Sequence, residues 1–364
     1  MNAVASPVSA DDRLALVLAD LGERQRLGQA ADIEQSANDN PDIADELRAL
    51  WATAQFAAAF AATPTVLPAT SGFDPSAAAP APPEAVGDYE ILAELGRGGM
   101  GVVYKARQRS LNRLVAVKLM REARLSSDTD RARFMAEAEA AAKLKHPNIV
   151  TVFEVGHQDG LPYIVMEYVA GRTLSQQLAE GPLPPRVAAR LLADVARGVH
   201  HAHEWNVLHR DLKPANILYS AAGAPKVADF GLARRTDGPG LTVTGEVMGT
   251  PAYMAPEQAG GKRVTGAADV YSLGAVVYEC LTGRPPFTGA NAAEILMRVL
   301  KDEPPAAASL APGVPGDLAI ICHQCLRKDP ARRYGSAAAL EADLRAFLDG
   351  RTASPACTPP RPAS

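Results

Sequence analysis

The pattern of apolar and polar positions changes character along the chain. Between residues 11 and 62, apolar residues recur at helical spacing in Arg13-Leu14-Ala15-Leu16-Val17-Leu18 and across Ile43 to Phe60, with Asn38-Asp39-Asn40-Pro41 as a breaker between the runs. This predicts a small helical module over residues 1–62. Residues 63–87 carry Pro64, Pro68, Pro75, Pro80, Pro82 and Pro83 among Ala, Ser and Thr, a composition that buries little apolar area and predicts a semi-extended linker. Residues 88–349 open with strand-like runs, Tyr89 to Leu95, Val102 to Ala106 and Leu114 to Leu119, and then turn mostly helical. That order predicts an α+β domain with a small sheet-rich lobe followed by a larger helical one. Residues 350–364, with Pro355, Pro359, Pro360 and Pro362, repeat the linker composition and predict a disordered tail.

Composition narrows the function classes. With 364 residues, 47% hydrophobic and 21% charged, the chain can bury one large core or two moderate ones and still carry appendages. A formal net charge of -4 leaves no basic excess for gripping nucleic-acid phosphates, so nucleic acid is not an expected partner. The four cysteines show no framework spacing, which suits a reducing compartment without disulfides. The start, Met1-Asn2-Ala3-Val4, has no basic segment leading into an apolar run and no Gly at the second position for myristoylation. Phe56 to Ala62 falls far short of the roughly 18–20 apolar residues that span a bilayer. A cytoplasmic protein is expected, with membrane attachment only through a longer natural chain. Cys322-His323-Gln324-Cys325 has no second ligand pair near it, so it reads as helix core and not as a zinc site.

Two segments carry phosphate chemistry on their own residues. Gly96-Arg97-Gly98-Gly99-Met100-Gly101 supplies glycines that let backbone amides lie close to phosphates, where a side chain would collide. A dinucleotide-binding loop would open a helix, but Val102 to Ala106 reads as a strand, so this loop joins two strands. In Val115-Ala116-Val117-Lys118, the period of two puts Lys118 on the face of Ala116 and opposite Val115 and Val117. An inward lysine needs an anion. On the helix expected after Ser126-Ser127-Asp128, Phe134, Glu137, Ala141 and Leu144 share one stripe, which makes Glu137 the expected partner of Lys118 and leaves Glu139 in solvent.

Further on stand His209-Arg210-Asp211-Leu212-Lys213-Pro214-Ala215-Asn216 and Asp229-Phe230-Gly231. Together with the glycine loop and Lys118 they resemble the motif set of the bacterial Hanks-type (eukaryotic-like) serine/threonine protein kinases, over residues 88–349. The resemblance implies a bilobal kinase fold. Its small lobe, residues 88–166, would hold an antiparallel sheet and one main helix, residues 167–169 would form the hinge, and a mainly helical large lobe would follow over residues 170–349.

What the resemblance implies about chemistry is specific. Asp211 would orient the substrate hydroxyl and accept its proton, Lys213 would neutralise charge on the transferred group, and Asn216 and Asp229 would hold Mg²⁺, with Mn²⁺ as a substitute. Lys118 and Glu137 complete the catalytic set. ATP would lie against Gly96, Gly98 and Gly101, between Leu95, Val103, Ala116, Met166 and Leu218, with Glu167 and Val169 as hinge positions and Met166 narrowing the deeper pocket. Lys213 and Gly249-Thr250-Pro251-Ala252-Tyr253-Met254-Ala255-Pro256-Glu257 imply protein serine/threonine hydroxyls as substrates.

Arg210 would pair with a phosphate on the activation loop, and Thr242 and Thr244 are the implied autophosphorylation sites, which would call for self-association in trans. Glu257 and Arg333 match a buried ion pair, and Asp269 a brace for the catalytic loop. Segment 41–48 is similar to N-terminal extensions of bacterial kinases, and many relatives continue past such a tail into a membrane span and sensor domain. The rival expectation is a nucleotide-binding pseudokinase or scaffold acting through the helical module.

Overall fold

The computed structural model describes residues 33–44, 83–98, 101–120, 128–158, 161–230 and 251–351, together with positions 13, 17, 20, 21, 24 and 47. The described residues fall into two units, one holding positions 13 to 47 and Gly289–Met297, the other holding the remainder. In the first, helix α1 (Ile33–Asp39) ends within the expected breaker, before Asn40, whose side-chain Nδ2 donates to Ser36 O at 3.0 Å. Leu21, Ala37, Ile43 and Leu47 close a small apolar cluster there.

The second unit begins earlier than the sequence indicates. Strand β1 (Ala85–Val86) already pairs with β2 (Tyr89–Gly98), so the expected linker ends before residue 85. Val86 and Tyr89 are buried on the sheet, and this apolar contact draws the segment into the fold. The sheet continues through β3 (Gly101–Gln108), β4 (Arg113–Met120), β5 (Val152–Gln158) and β6 (Leu161–Glu167) in the order β1-β2-β3-β4-β6-β5, antiparallel throughout. Strand β4 is buried on both faces: Val115 and Val117 pack with Tyr89, Ala106 and Val165, while Ala116 and Met120 pack with Phe134, Ala138 and Met166. Each such valine contributes about 1.5–3 kcal/mol of burial. Phe134 and Ala138 come from α2 (Asp128–Ala142), the main small-lobe helix, on which Glu139 is exposed as its position on the helix predicts.

The larger lobe is built on α3 (Leu174–Leu178), α4 (Pro185–Glu204), a hairpin of β7 (Ile217–Tyr219) and β8 (Pro225–Val227), α5 (Pro256–Ala259), α6 (Gly266–Thr282), α8 (Ala307–Leu310), α9 (Gly316–Cys325) and α10 (Ala337–Leu348), while α7 (Ala292–Lys301) has its residues up to Met297 in the first unit. Proline at the first position opens α4, where its missing N–H costs nothing, and Gly283 at φ 76° closes α6 in the left-handed conformation. Helix α6 is apolar nearly all round and runs through the lobe centre. Gly274 makes this possible, because a Cβ there would stand 2.4 Å from Cys325 Cβ on α9. Cys280, Cys322 and Cys325 are buried and free, as core positions. Among the described residues no helix is long and apolar enough to cross a membrane.

Candidate active site

The loop from His209 to Asn216 is fixed from beneath by one carboxylate. Asp269, fully buried on α6, accepts from His209 N at 2.9 Å and Arg210 N at 2.8 Å, and its Oδ2 lies 2.7 Å from His203 Nε2 at the end of α4. Burial works to raise this carboxyl, but the hydrogen bond and charge of His203, with help from His209, hold it below the ordinary 3.8. The brace also pays for backbone strain: Arg210 sits at φ 65° and Asp229 at φ 64°, positions where a non-glycine residue needs outside support. Gln258 Nε2 adds a bond to Arg210 O at 2.7 Å.

His209 ties the loop to the strand that ends in Asp229. Its Nδ1 accepts from Asp211 N at 3.3 Å, which leaves Nε2 as the donor to Ala228 O at 2.9 Å, and its ring lies against Phe230. Ala228 N in turn donates to Asn216 O at 2.9 Å, so Asn216 and Asp229 are held as neighbours by backbone. Asn216 Nδ2 donates to Asp211 O at 2.8 Å, and no hydrogen bond engages its Oδ1 among the described residues. Lys213 Nζ lies 2.7 Å from Asp211 Oδ2. Asp211, Lys213, Asn216 and Asp229 thus lie together in the cleft.

Lys118 is buried and inward, but its partner differs from the expectation. Its Nζ lies 2.8 Å from Asp229 Oδ1, whereas Glu137 Oε1 stands 4.0 Å from Arg210 Nη1. The inward stripe of α2 is correct, with Phe134, Ala141 and Leu144 buried. What sequence spacing does not set is how far the helix stands from β4. Burial works to raise the Asp229 carboxyl, and the charge and hydrogen bond of Lys118, with His209 and Lys213, override it and keep the group ionised. Arg210 Nε is buried with no hydrogen-bond partner among the described residues.

Val103, Ala116, Met166, Val169 and Leu218 join one apolar cluster above and below the cleft. Leu95 does not: it is 47% exposed on β2. Gly101 is demanded by the chain itself, since a Cβ there would lie 2.0 Å from Leu119 O, while nothing stands within 4 Å of such an atom at Gly96 or Gly98. Behind Met166, a space of about 20 Å³ bounded by Ala138, Ile149, Ile164 and Asp229 has room for roughly one water, as narrow as the bulky methionine predicts. Glu167 N is spent on Thr151 O at 2.8 Å, which removes it from the groups open to a ligand.

Glu257 and Arg333 form the expected buried pair at 2.7 Å through both nitrogens, and Arg333 also donates to the carbonyls of Ala267, Arg327 and Lys328. His203 carries little signal in the sequence: only a place in the last turn of α4, six residues before His209. Gly99, Met100, Gly231, Thr242, Thr244 and Thr250 lie outside the described residues.

Residues 89–344 match the protein kinase domain family. The chain is 41% identical over 264 residues to the serine/threonine-protein kinase PrkC of Bacillus subtilis, covering 72% of this chain and 41% of that one. It is 43% identical over 263 residues to the serine/threonine-protein kinase PknB of Mycobacterium tuberculosis, covering 70% and 42%. The chain therefore spans about two fifths of the length of these curated relatives. Among solved structures it is similar to the Mycobacterium tuberculosis PknI kinase domain, with a TM-score of 0.58 at 29% identity, covering 71% of this chain and 95% of that one.

Proposed function

We propose, because this chain belongs to the protein kinase family, that it transfers the γ-phosphoryl group of ATP to serine and threonine hydroxyls of proteins. The observation that carries this reading is the convergence of Asp211, Lys213, Asn216 and Asp229 on one face of the cleft, held by backbone bonds and by Asp269. Asp211 takes the proton of the attacking hydroxyl, and Lys213 faces the negative charge that builds on the transferred oxygens. Asn216 Oδ1 and the Asp229 carboxylate are hard oxygen donors that suit Mg²⁺, or Mn²⁺ in its place, and the ion would neutralise phosphate charge when bound. The absence of steric demand for glycine at Gly96 and Gly98 supports a role for them toward phosphates.

Activation runs through Arg210. Its Nε, without a hydrogen-bond partner among the described residues, and its Nη1 near Glu137 suit capture of a phosphate on Thr242 or Thr244, which would draw Arg210 away and let Glu137 meet Lys118. Trans-phosphorylation by a second copy would supply that phosphate. Buried free thiols support a reducing, cytoplasmic setting, and the net charge of -4 argues for protein and not nucleic-acid partners. The N-terminal helices are read as an accessory module.

The test is to treat wild type and Asp211→Asn with phosphatase, incubate each with Mg·ATP and map phosphate by mass spectrometry. Phosphate on Thr242 or Thr244 in wild type alone is expected. Its absence from both, with ATP still bound, would replace this reading by the scaffold.

A further inference from the structure

The rim of the cleft carries one charge that takes no part in the catalytic set. Lys105 lies on β3, opposite Ala93 of β2 on one side and Ala116 of β4 on the other. The period of two puts it on the face of Val103, which packs with Ala116, Met166, Val169 and Leu218. Ala116 is in turn opposite Met166 on β6, so Lys105, Ala116 and Met166 form one row across the sheet. Tyr168 follows two residues after Met166, and Lys105 Nζ lies over its ring, 4.8 Å from the centroid. Both residues are half-buried, and among the described residues no carboxylate pairs with the Lys105 ammonium.

This contact joins parts of the cleft that the backbone leaves separate. The ladder between β4 and β6 ends at Val115 and Glu167, so Tyr168 stands beyond it. Strand β3 turns back through Gly101 and Gly98 into β2, so a restraint on Lys105 is a restraint on the whole hairpin that covers the slot. Lys105 stands further from the glycine turn than Val103 does, which places the pair at the hinge end of the slot and away from the phosphate end. A cation over a ring is drawn to the negative π-face, and more strongly where water is partly excluded. Widening the slot between hairpin and hinge pulls ammonium and ring apart.

We propose that Lys105 and Tyr168 form a cation–π latch across the outer edge of the nucleotide slot, which slows nucleotide release and sets the affinity for ATP. Both are positioning residues: they act on the distance between hairpin and hinge, while Asp211, Lys213, Asn216 and Asp229 act at the transferred group. The proposal rests on the reading of the slot as an ATP site. The latch needs a cation and a π-face and nothing else, so arginine serves at position 105 and phenylalanine at position 168.

The experiment compares wild type, Lys105→Met, Lys105→Arg, Tyr168→Leu, Tyr168→Phe and the double variant Lys105→Met/Tyr168→Leu, full chain in each case. The readouts are the release rate of N-methylanthraniloyl-ATP chased with ATP, kcat and KM for ATP with dephosphorylated casein as acceptor, and melting temperature. Lys105→Met and Tyr168→Leu are each expected to release nucleotide about three- to tenfold faster, equivalent to roughly 0.7–1.4 kcal/mol, with KM raised in step and kcat within about twofold of wild type. The double variant is no faster than the singles, and Lys105→Arg and Tyr168→Phe behave as wild type. Unchanged release in folded Lys105→Met overturns the latch, whatever Tyr168→Leu does, because a ring that acts by packing alone needs no cation. Additive effects in the double variant overturn it as well. If Tyr168→Leu fails to melt cooperatively, the two Lys105 variants decide. Wild type that binds no nucleotide defeats the ATP-site reading, and the latch falls with it; wild type that binds but transfers nothing defeats the kinase reading alone, and the release rates still decide the latch.

Discussion

The floor and the roof of the cleft are built on opposite principles. On the floor, the buried Asp269 gathers short bonds from His203, His209 and Arg210, and Arg333 satisfies its guanidinium with Glu257 and three carbonyls. There Asp269 and Arg333 each make several bonds at once, so neither side chain moves without breaking a set of them. On the roof, Lys118, Glu137 and Asp229 offer exchangeable charges: Lys118 is paired at 2.8 Å with Asp229, and Glu137 stands 4.0 Å from Arg210. A floor held by several bonds per group would keep Asp211 aimed in the proposed transfer, while exchangeable pairs on the roof would give the proposed switch something to move.

Removing the reactive group on the floor gives the largest effect. Asp211→Asn is expected to lower the transfer rate by about 10²–10⁴-fold with the fold intact, measured as initial rate on a protein acceptor beside a melting curve. Breaking a floor support should act on stability instead. Arg333→Ala leaves Glu257 buried and unpaired and is expected to cost about 3–5 kcal/mol in urea unfolding. Lys118→Met on the roof sharpens the contrast: transfer should be lost, yet stability should fall by less than for Arg333→Ala, because Asp229 keeps 29% of its side chain open to the cleft.

A smaller effect tests the packing beneath the floor. Gly274→Ala would place a methyl 2.4 Å from Cys325 Cβ and is expected to cost about 1–3 kcal/mol, read from the same urea curves. The smallest signal is electrostatic. The Asp269 carboxyl is held below its ordinary 3.8, so its contribution to stability is present above that value and is lost as pH falls through the depressed folded value. Between about pH 5 and pH 3 the urea midpoint of wild type should therefore fall more steeply than that of Asp269→Asn. Equal slopes would mean that the brace does not depend on the charge.

Much of this was legible in the sequence. The alternation Val115-Ala116-Val117-Lys118 gave the lysine its face, because a strand turns successive side chains to opposite sides whatever surrounds it. The stripe of Phe134, Ala141 and Leu144 likewise gave Glu137 its direction, and the spacing from Asp211 to Asn216 set the catalytic loop. These are local properties of backbone geometry and of residue type, and the chain determines them by itself. Who meets whom across the cleft is different. That Lys118 holds Asp229, that His203 reaches Asp269 across 66 residues of chain, and that Lys226 reaches Glu167 across 59 depend on how far helices and lobes stand from one another. Those distances come from the packing of whole surfaces, to which each residue adds only a small part, so only the tertiary structure decided them.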